Sequence, residues 1–220
     1  MTKETEAVLF DLDGTIIDTN ELIIQSFLHA LKGRMPDDFG REDIIPHMGK
    51  TLTDQLRLFS GEQDVTGLMA AYREYNLQYH DEMVGLFPGV AEVVPVLKRE
   101  GIKLGIVTTK MRASTERALR LFGLWDQMDA IVTLDDVEHA KPHPEPVLKA
   151  MEAVGAKASG TIMVGDSAVD IESAIRAGAV PVGVAWSLKG EAVLRDAGAE
   201  HVLQDMNQLL TLCGIEGAKA

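Results

Sequence analysis

The sequence predicts an α/β fold: a parallel sheet core carrying an inserted helical cap. Three observations predict it. Short apolar or β-branched runs recur at Ala7 to Phe10, Lys103 to Thr108, Ala130 to Thr133, Thr161 to Val164 and Val180 to Ala185, with helix-like stretches between them. Glycine closes several of those stretches, as in Leu97-Lys98-Arg99-Glu100-Gly101, Leu121-Phe122-Gly123 and Ala174-Ile175-Arg176-Ala177-Gly178, because a residue free to turn left-handed commonly ends a helix. Between about Ile17 and Gly85 the alternation stops, and Asn20 to Leu31, Thr51 to Phe59 and Val65 to Tyr79 read as consecutive helices. Alternating strands and helices imply a parallel sheet covered on both faces, so residues 1–16 and 85–220 are expected to form the core. Residues 17–84 are expected to form a cap over the carboxyl end of its strands, where ligands of such sheets bind.

The first run ends in Phe10-Asp11-Leu12-Asp13-Gly14-Thr15. Side chains two apart on a strand share a side, so Asp11 and Asp13 are expected to reach one substrate atom while Gly14 bends the chain sharply. A calcium loop does not fit. An EF-hand starting at Asp11 needs Gly sixth and Glu twelfth, where the chain has Ile16 and Leu22. The helices that follow are interrupted around Gly33-Arg34-Met35-Pro36-Asp37-Asp38, and Phe87-Pro88-Gly89 marks the return to the sheet.

Three later segments add polar groups to the same sheet edge. Gly105-Ile106-Val107 leads into Thr108-Thr109-Lys110, Ala140-Lys141-Pro142 is expected to open a helix after Val132-Thr133-Leu134, and Ile162-Met163-Val164 leads into Gly165-Asp166-Ser167-Ala168-Val169-Asp170. Four carboxylates, a hydroxyl and an amine thus converge. Like charges about 4 Å apart repel by about 1 kcal/mol in water and several times more at protein-like dielectric, so the cluster calls for a cation. Oxygen ligands select a hard ion, and Mg²⁺ is usual where the substrate is a phosphate. A carboxylate can attack phosphorus while its neighbour protonates the leaving oxygen and later takes a proton from water. Asp11 and Asp13 can divide those roles, with Thr108 and Lys141 holding the phosphoryl oxygens.

The order Asp-x-Asp-x-Thr, Thr, Lys and acidic pair resembles the haloacid dehalogenase-like superfamily of aspartate-nucleophile phosphatases, with its Rossmann-like core, over nearly the whole chain. The resemblance implies Asp11 as nucleophile, Asp13 as acid/base and Thr108 and Lys141 as phosphate ligands. It further implies Mg²⁺ held by Asp11, Asp166 and the Asp13 carbonyl, Asp170 as a supporting acid, and Thr15 positioning the first loop at the substrate. A closer resemblance is to the PpaX-type inorganic pyrophosphatases of Gram-positive bacteria. It rests on Asp18-Thr19-Asn20-Glu21-Leu22-Ile23-Ile24, Gly105-Ile106-Val107-Thr108-Thr109-Lys110, Lys141-Pro142-His143-Pro144-Glu145-Pro146 and Gly183-Val184-Ala185-Trp186-Ser187-Leu188-Lys189-Gly190. Pyrophosphate is then the implied substrate, including that released when a serine-phosphorylated phosphocarrier protein is dephosphorylated. Thr109 stands where many phosphoglycolate phosphatases have Asn, and His143 where Asp is frequent.

Other residues set expectations of their own. Pro46-His47-Met48-Gly49-Lys50 is the most pointed cap segment, and Lys50 is expected to meet a second phosphate. Trp186 and Lys189 are expected to cover the sheet edge at the surface. Cys213 is the single cysteine; it cannot form an intrachain disulfide and is expected to pack. Met1-Thr2-Lys3-Glu4-Thr5-Glu6 lacks the apolar centre of a signal peptide, so a reducing cytoplasm is expected. A net charge of -13 argues against nucleic acid or an anionic membrane as partner. With 220 residues and 46% hydrophobic content, the chain can bury one sizeable core and a smaller second one. The rival readings are a small phosphomonoesterase, phosphoglycolate first, a phospho-accepting receiver, and a non-catalytic binding protein. A receiver needs about half this length and no lid.

Overall fold

A computed structural model describes residues 5–215. In chain order the strand β1 (Ala7–Phe10) is followed by the two-residue β2 (Ile17–Asp18) and the helices α1 (Asn20–Ala30), α2 (Arg41–Ile44), α3 (Leu52–Ser60) and α4 (Thr66–Met83). The two-residue β3 (Gly85–Leu86) leads to α5 (Val90–Arg99), β4 (Lys103–Val107), α6 (Arg112–Leu121), β5 (Ala130–Val132) and α7 (Glu145–Val154). Then come β6 (Thr161–Gly165), α8 (Ala168–Ala177), β7 (Val180–Val184), α9 (Glu191–Asp196), β8 (His201–Leu203) and α10 (Gln208–Leu212).

The main sheet is parallel, in the order β5-β4-β1-β6-β7-β8. Its strands are apolar on both faces because helices cover both. Val8 and Phe10 face α5, α6 and α10 through Val94, Leu97, Leu119 and Leu209, whereas Leu9 faces α7 and α8 through Val147, Met151 and Ala174. β1 is central, with Phe10 in register with Ile106 of β4 and Val164 of β6. Asp11 N donates to Val164 O at 2.8 Å and Thr108 N to Val132 O at 3.0 Å. The ladder therefore fixes the first residue past each strand, which is where the polar groups begin.

The insertion has its own apolar cluster, including Ile24, Phe27, Leu31, Ile44, Leu56 and Leu68. The Phe27 ring lies between Phe59, 5.4 Å away at 88°, and Tyr72, 4.8 Å away at 59°. Burying such a ring is worth about 1.5–3 kcal/mol before edge-to-face terms. The insertion joins the core through β2 and β3, which pair antiparallel. Two further contacts tie it down. Arg117 of α6 donates through Nε and Nη2 to the Asp81 carboxylate of α4 at 2.9 and 3.0 Å, and through Nη1 to Leu77 O at 3.1 Å. The loop at Gly49 descends onto the core, where Thr109 Oγ1 donates to Gly49 O at 3.2 Å. Gly49 has φ +101, and a Cβ there would stand 2.7 Å from Ser167 Oγ, so only glycine permits the approach.

Three features differ from expectation. β8 completes the sheet, and its three residues are too short a run to stand out in the sequence. The β2–β3 ribbon is equally invisible, with two residues a side. Lys141 does not open a helix. α7 starts at Glu145, after Pro144, because the residue before a proline is pushed away from helical geometry, and Lys141 and His143 both precede one.

Candidate active site

Asp11 leaves β1 between the ends of β4 and β6, with 6% of its surface exposed. Its Oδ1 accepts from Lys141 Nζ at 2.7 Å, and Thr15 Oγ1 lies 3.5 Å from its Oδ2. The turn behind it needs glycine. Gly14 has φ +84, and a Cβ there would fall 2.7 Å from Asp166 Oδ2. The bend thus brings the end of β1 against Asp166.

Lys141 reaches the same point from the loop before α7. Its ammonium donates to Asp11 Oδ1, to Asp170 Oδ1 at 2.6 Å and to Val107 O at 2.8 Å, which uses all three donors. Asp170, in the first turn of α8, accepts Ser167 N at 3.0 Å and Ser167 Oγ at 2.6 Å on its other oxygen. It therefore supports Lys141 from behind. Asp166 is the first residue past β6, and its Oδ2 accepts from Lys189 Nζ at 2.6 Å. Lys189 is not the surface residue expected of it: its side chain is 6% exposed and closes the acidic cluster from the loop after β7. Trp186 does pack at that edge, its Nε1 donating to Thr15 O at 3.2 Å and its ring 5.8 Å from Phe87. Ser187 Oγ adds a bond to Asp166 O at 2.6 Å.

One oxygen each of Asp11, Asp166 and Asp170 falls within 4.8 Å of the others. Burial pushes the Asp11 carboxyl above the ordinary carboxylate range; Lys141 opposes that rise, while Asp170 and Asp166 reinforce it. Asp166 is raised by burial too, against the pull of Lys189. For Lys141, burial works against the charge, but Asp11 and Asp170 outweigh it and hold the ammonium above the usual lysine value. Three buried carboxylates face two ammonium groups, and the donors are all hard oxygens. That set suits a divalent cation of the Mg²⁺ kind.

Asp13 stands apart from this trio. Its carboxylate accepts from Lys110 Nζ at 3.0 and 3.1 Å, an ion pair whose side chains are 20% and 12% exposed. Asp11 and Asp13 share a chamber yet point to different lysines, since the extended backbone ends at Phe10 and the two-residue repeat no longer applies. Thr108, 4% exposed, lines the same chamber. Thr109 also lines it, but its hydroxyl is committed to Gly49 O. Thr15 is fully buried and does not line the chamber; its place is behind Asp11 rather than at a substrate.

The chamber encloses about 340 Å³ between the cap and the carboxyl edge of the sheet. Lys50 and Arg73 enter it from the cap, and both are exposed. Phe27, Met48, Met69 and Tyr72 form an apolar wall around them. Lys110, Lys189 and Arg73 are the site residues that sequence reasoning missed. Only Lys110 carried a signal, being two residues beyond Thr108.

A buried aspartate at the switch point of a parallel sheet, backed by lysine and two more carboxylates beneath a helical insertion, defines a class of hydrolase. A family model described as haloacid dehalogenase-like hydrolase matches residues 8–184, and the chain belongs to that family. Among its relatives, pyrophosphatase PpaX of Halalkalibacterium halodurans is 46% identical over 213 residues, covering 97% of this chain and 99% of the relative. Pyrophosphatase PpaX of Bacillus cereus is 46% identical over 205 residues, covering 93% of this chain and 94% of the relative. The crystal structure of a haloacid dehalogenase-like hydrolase from Bacteroides fragilis superposes with TM-score 0.84 at 28% identity, covering 94% of this chain and 100% of the other. A hydrolase from Pseudomonas syringae gives TM-score 0.84 at 25% identity, covering 94% and 97%. None of the helices described is long and apolar enough to cross a membrane.

Proposed function

We propose that the protein hydrolyses inorganic pyrophosphate to two phosphates through an aspartyl phosphate on Asp11. The observation that carries this reading is the 46% identity to a pyrophosphatase over 97% of the chain. Lys50 and Arg73, cap cations that line the same chamber as Asp11, add to it.

In the first step an oxygen of Asp11 attacks one phosphorus and the bridging P–O bond breaks. The electron pair goes to the leaving phosphate, which takes a proton from Asp13. Water then attacks the aspartyl phosphate, Asp13 accepts its proton, and the second phosphate leaves. Lys141, held by Asp11 and Asp170, offsets charge on the transferring group together with Thr108. Lys110 occupies both oxygens of Asp13, so proton transfer there requires the ammonium to move toward the substrate, which it can do inside the shared chamber. Asp11 and Asp166 would hold Mg²⁺, with the Asp13 carbonyl completing the protein's share. When bound, Mg²⁺ supplies Lewis-acid stabilisation of phosphoryl charge. Residues 17–84 act as a substrate-selecting cap on a core of residues 1–16 and 85–220. The reaction belongs in the cytoplasm, where it would clear pyrophosphate released from a seryl-phosphorylated phosphocarrier protein.

A second reading, hydrolysis of a small phosphomonoester, is favoured by one observation. Phe27, Met48, Met69 and Tyr72 give the chamber more apolar wall than pyrophosphate uses. A panel of pyrophosphate, phosphoglycolate, sugar phosphates and p-nitrophenyl phosphate, read by free phosphate, separates the two. Pyrophosphate is expected to have the highest kcat/KM, and a clear preference for phosphoglycolate would defeat the assignment.

A further inference from the structure

The segment that delivers Lys141 to the site has an outward face that the chemistry leaves unused. His139 and His143 stack there, with ring centroids 4.6 Å apart at 33°. The Glu145 carboxylate lies beside them, its Oε2 3.2 Å from His139 Nδ1. One ligand atom from each residue falls within 4.8 Å of the other two. The turn between them is anchored: Arg176 Nη1 donates to Pro142 O at 2.8 Å and Ser173 Oγ to His143 O at 2.8 Å.

We propose that His139, His143 and Glu145 bind a transition-metal cation of the Zn²⁺ type, which clips the Lys141 segment from outside. Two neutral imidazoles and a carboxylate are a donor set that Zn²⁺ takes with water in its fourth position, whereas Mg²⁺ favours oxygen alone. The two clusters therefore sort cations by ligand type. Lys149, the largest influence, together with the N–H groups of Glu138 and His139, holds the Glu145 carboxyl down to about 2. Lys149 sits 2.8 Å from Oε1, while Oε2, which accepts His139 N at 2.9 Å, lies beside the His139 ring. Zn–N bonds of about 2.0–2.1 Å place ligands about 3.3 Å apart, and the His139 side chain, 62% exposed, can rotate to close the gap. His143 must release the 3.2 Å bond that its Nδ1 accepts from Glu145 N. Glu145 alone would account for a loop pinned at the start of α7. His143 Nδ1 adds a cap on Glu145 N, but the pairing of the His139 ring with the His143 ring, 4.6 Å away, serves no part of that role.

The test uses the full chain in excess Mg²⁺, so that the acidic cluster is supplied with its own cation. Zn²⁺ is titrated by calorimetry, and Co²⁺ is followed by its visible absorption. Wild type is expected to bind one equivalent of each. His139→Ala and His143→Ala are each expected to weaken binding by about tenfold or more, without loss of fold by circular dichroism, since both side chains are exposed. Hydrogen exchange over residues 138–143 is expected to slow on adding Zn²⁺. No binding up to about 1 mM, where affinity is negligible for a built site, overturns the proposal. So does affinity unchanged in the double variant, or affinity lost in Asp166→Asn instead. Binding without slower exchange removes the clip. The outcome is independent of which phosphate compound is hydrolysed.

Discussion

Asp11 and Lys141 are 130 positions apart in sequence and 2.7 Å apart in space, and the proposed chemistry turns on that contact. Asp11→Asn keeps the shape and removes the nucleophile. Turnover measured by phosphate release is expected to fall by about a thousandfold or more, roughly 4 kcal/mol; a variant keeping more than about a tenth of wild-type rate would exclude covalent catalysis by this residue. Lys50 and Arg73 make a finer distinction. Each replaced by alanine should weaken pyrophosphate turnover more than p-nitrophenyl phosphate turnover, by about 1–3 kcal/mol if the contact is a charge-assisted hydrogen bond. Equal losses on both substrates would remove that residue from phosphate selection. The acidic motifs were legible because each follows an apolar run. Lys189 was not: in Trp186-Ser187-Leu188-Lys189 it reads as a surface amine, and only the sheet order, with β7 beside β6, carries it to Asp166. Arg73 lies on a helix whose inward face cannot be told before the cap is folded.

Five of the six sheet strands and the three longer cap helices were legible to within a few residues, since each rests on local periodicity; β8 and the four-residue α2 were too short to show. The start of α7 was misread because Lys-Pro looks like a helix opening, while the pre-proline positions Lys141 and His143 delay the helix to Glu145. Long-range pairing escaped too, as with the latch between α4 and α6. There Asp81 meets Arg117, and the neighbouring His80 is 1% exposed, with Nδ1 2.7 Å from Asp81 Oδ1. Burial lowers the His80 pKa below the usual 6.5, against the opposing pull of Asp81. The unfolded chain then binds the proton more readily than the folded one. Stability from this group is present above about pH 6.5 and is lost as pH falls through its lower folded value. Thermal melts from pH 8 to pH 5 should show a smaller decline in His80→Gln than in wild type. An identical decline would locate the sensitivity elsewhere.

Across the whole molecule, charge is the dominant asymmetry: the chain carries a net charge of -13 and gathers three buried carboxylates at one point. Chelation should abolish phosphate release and lower Tm, and Mg²⁺ should restore both; full activity in excess chelator would remove the metal from the mechanism. Ca²⁺ should inhibit, because its looser coordination lets both oxygens of Asp11 engage the ion and spoils the attack geometry. The β2–β3 ribbon has a different kind of consequence. The chain leaves the core at Ile17–Asp18 and returns at Gly85–Leu86, and those residues pair side by side, so the two crossings are about 4.8 Å apart. A gap that narrow can be bridged by a tight turn as readily as by a whole helical bundle. The path of the sheet strands thus does not itself dictate the length of what is spliced between the first two motifs. On the proposed division of labour, selectivity and chemistry would then lie on stretches of chain that can be exchanged like cassettes.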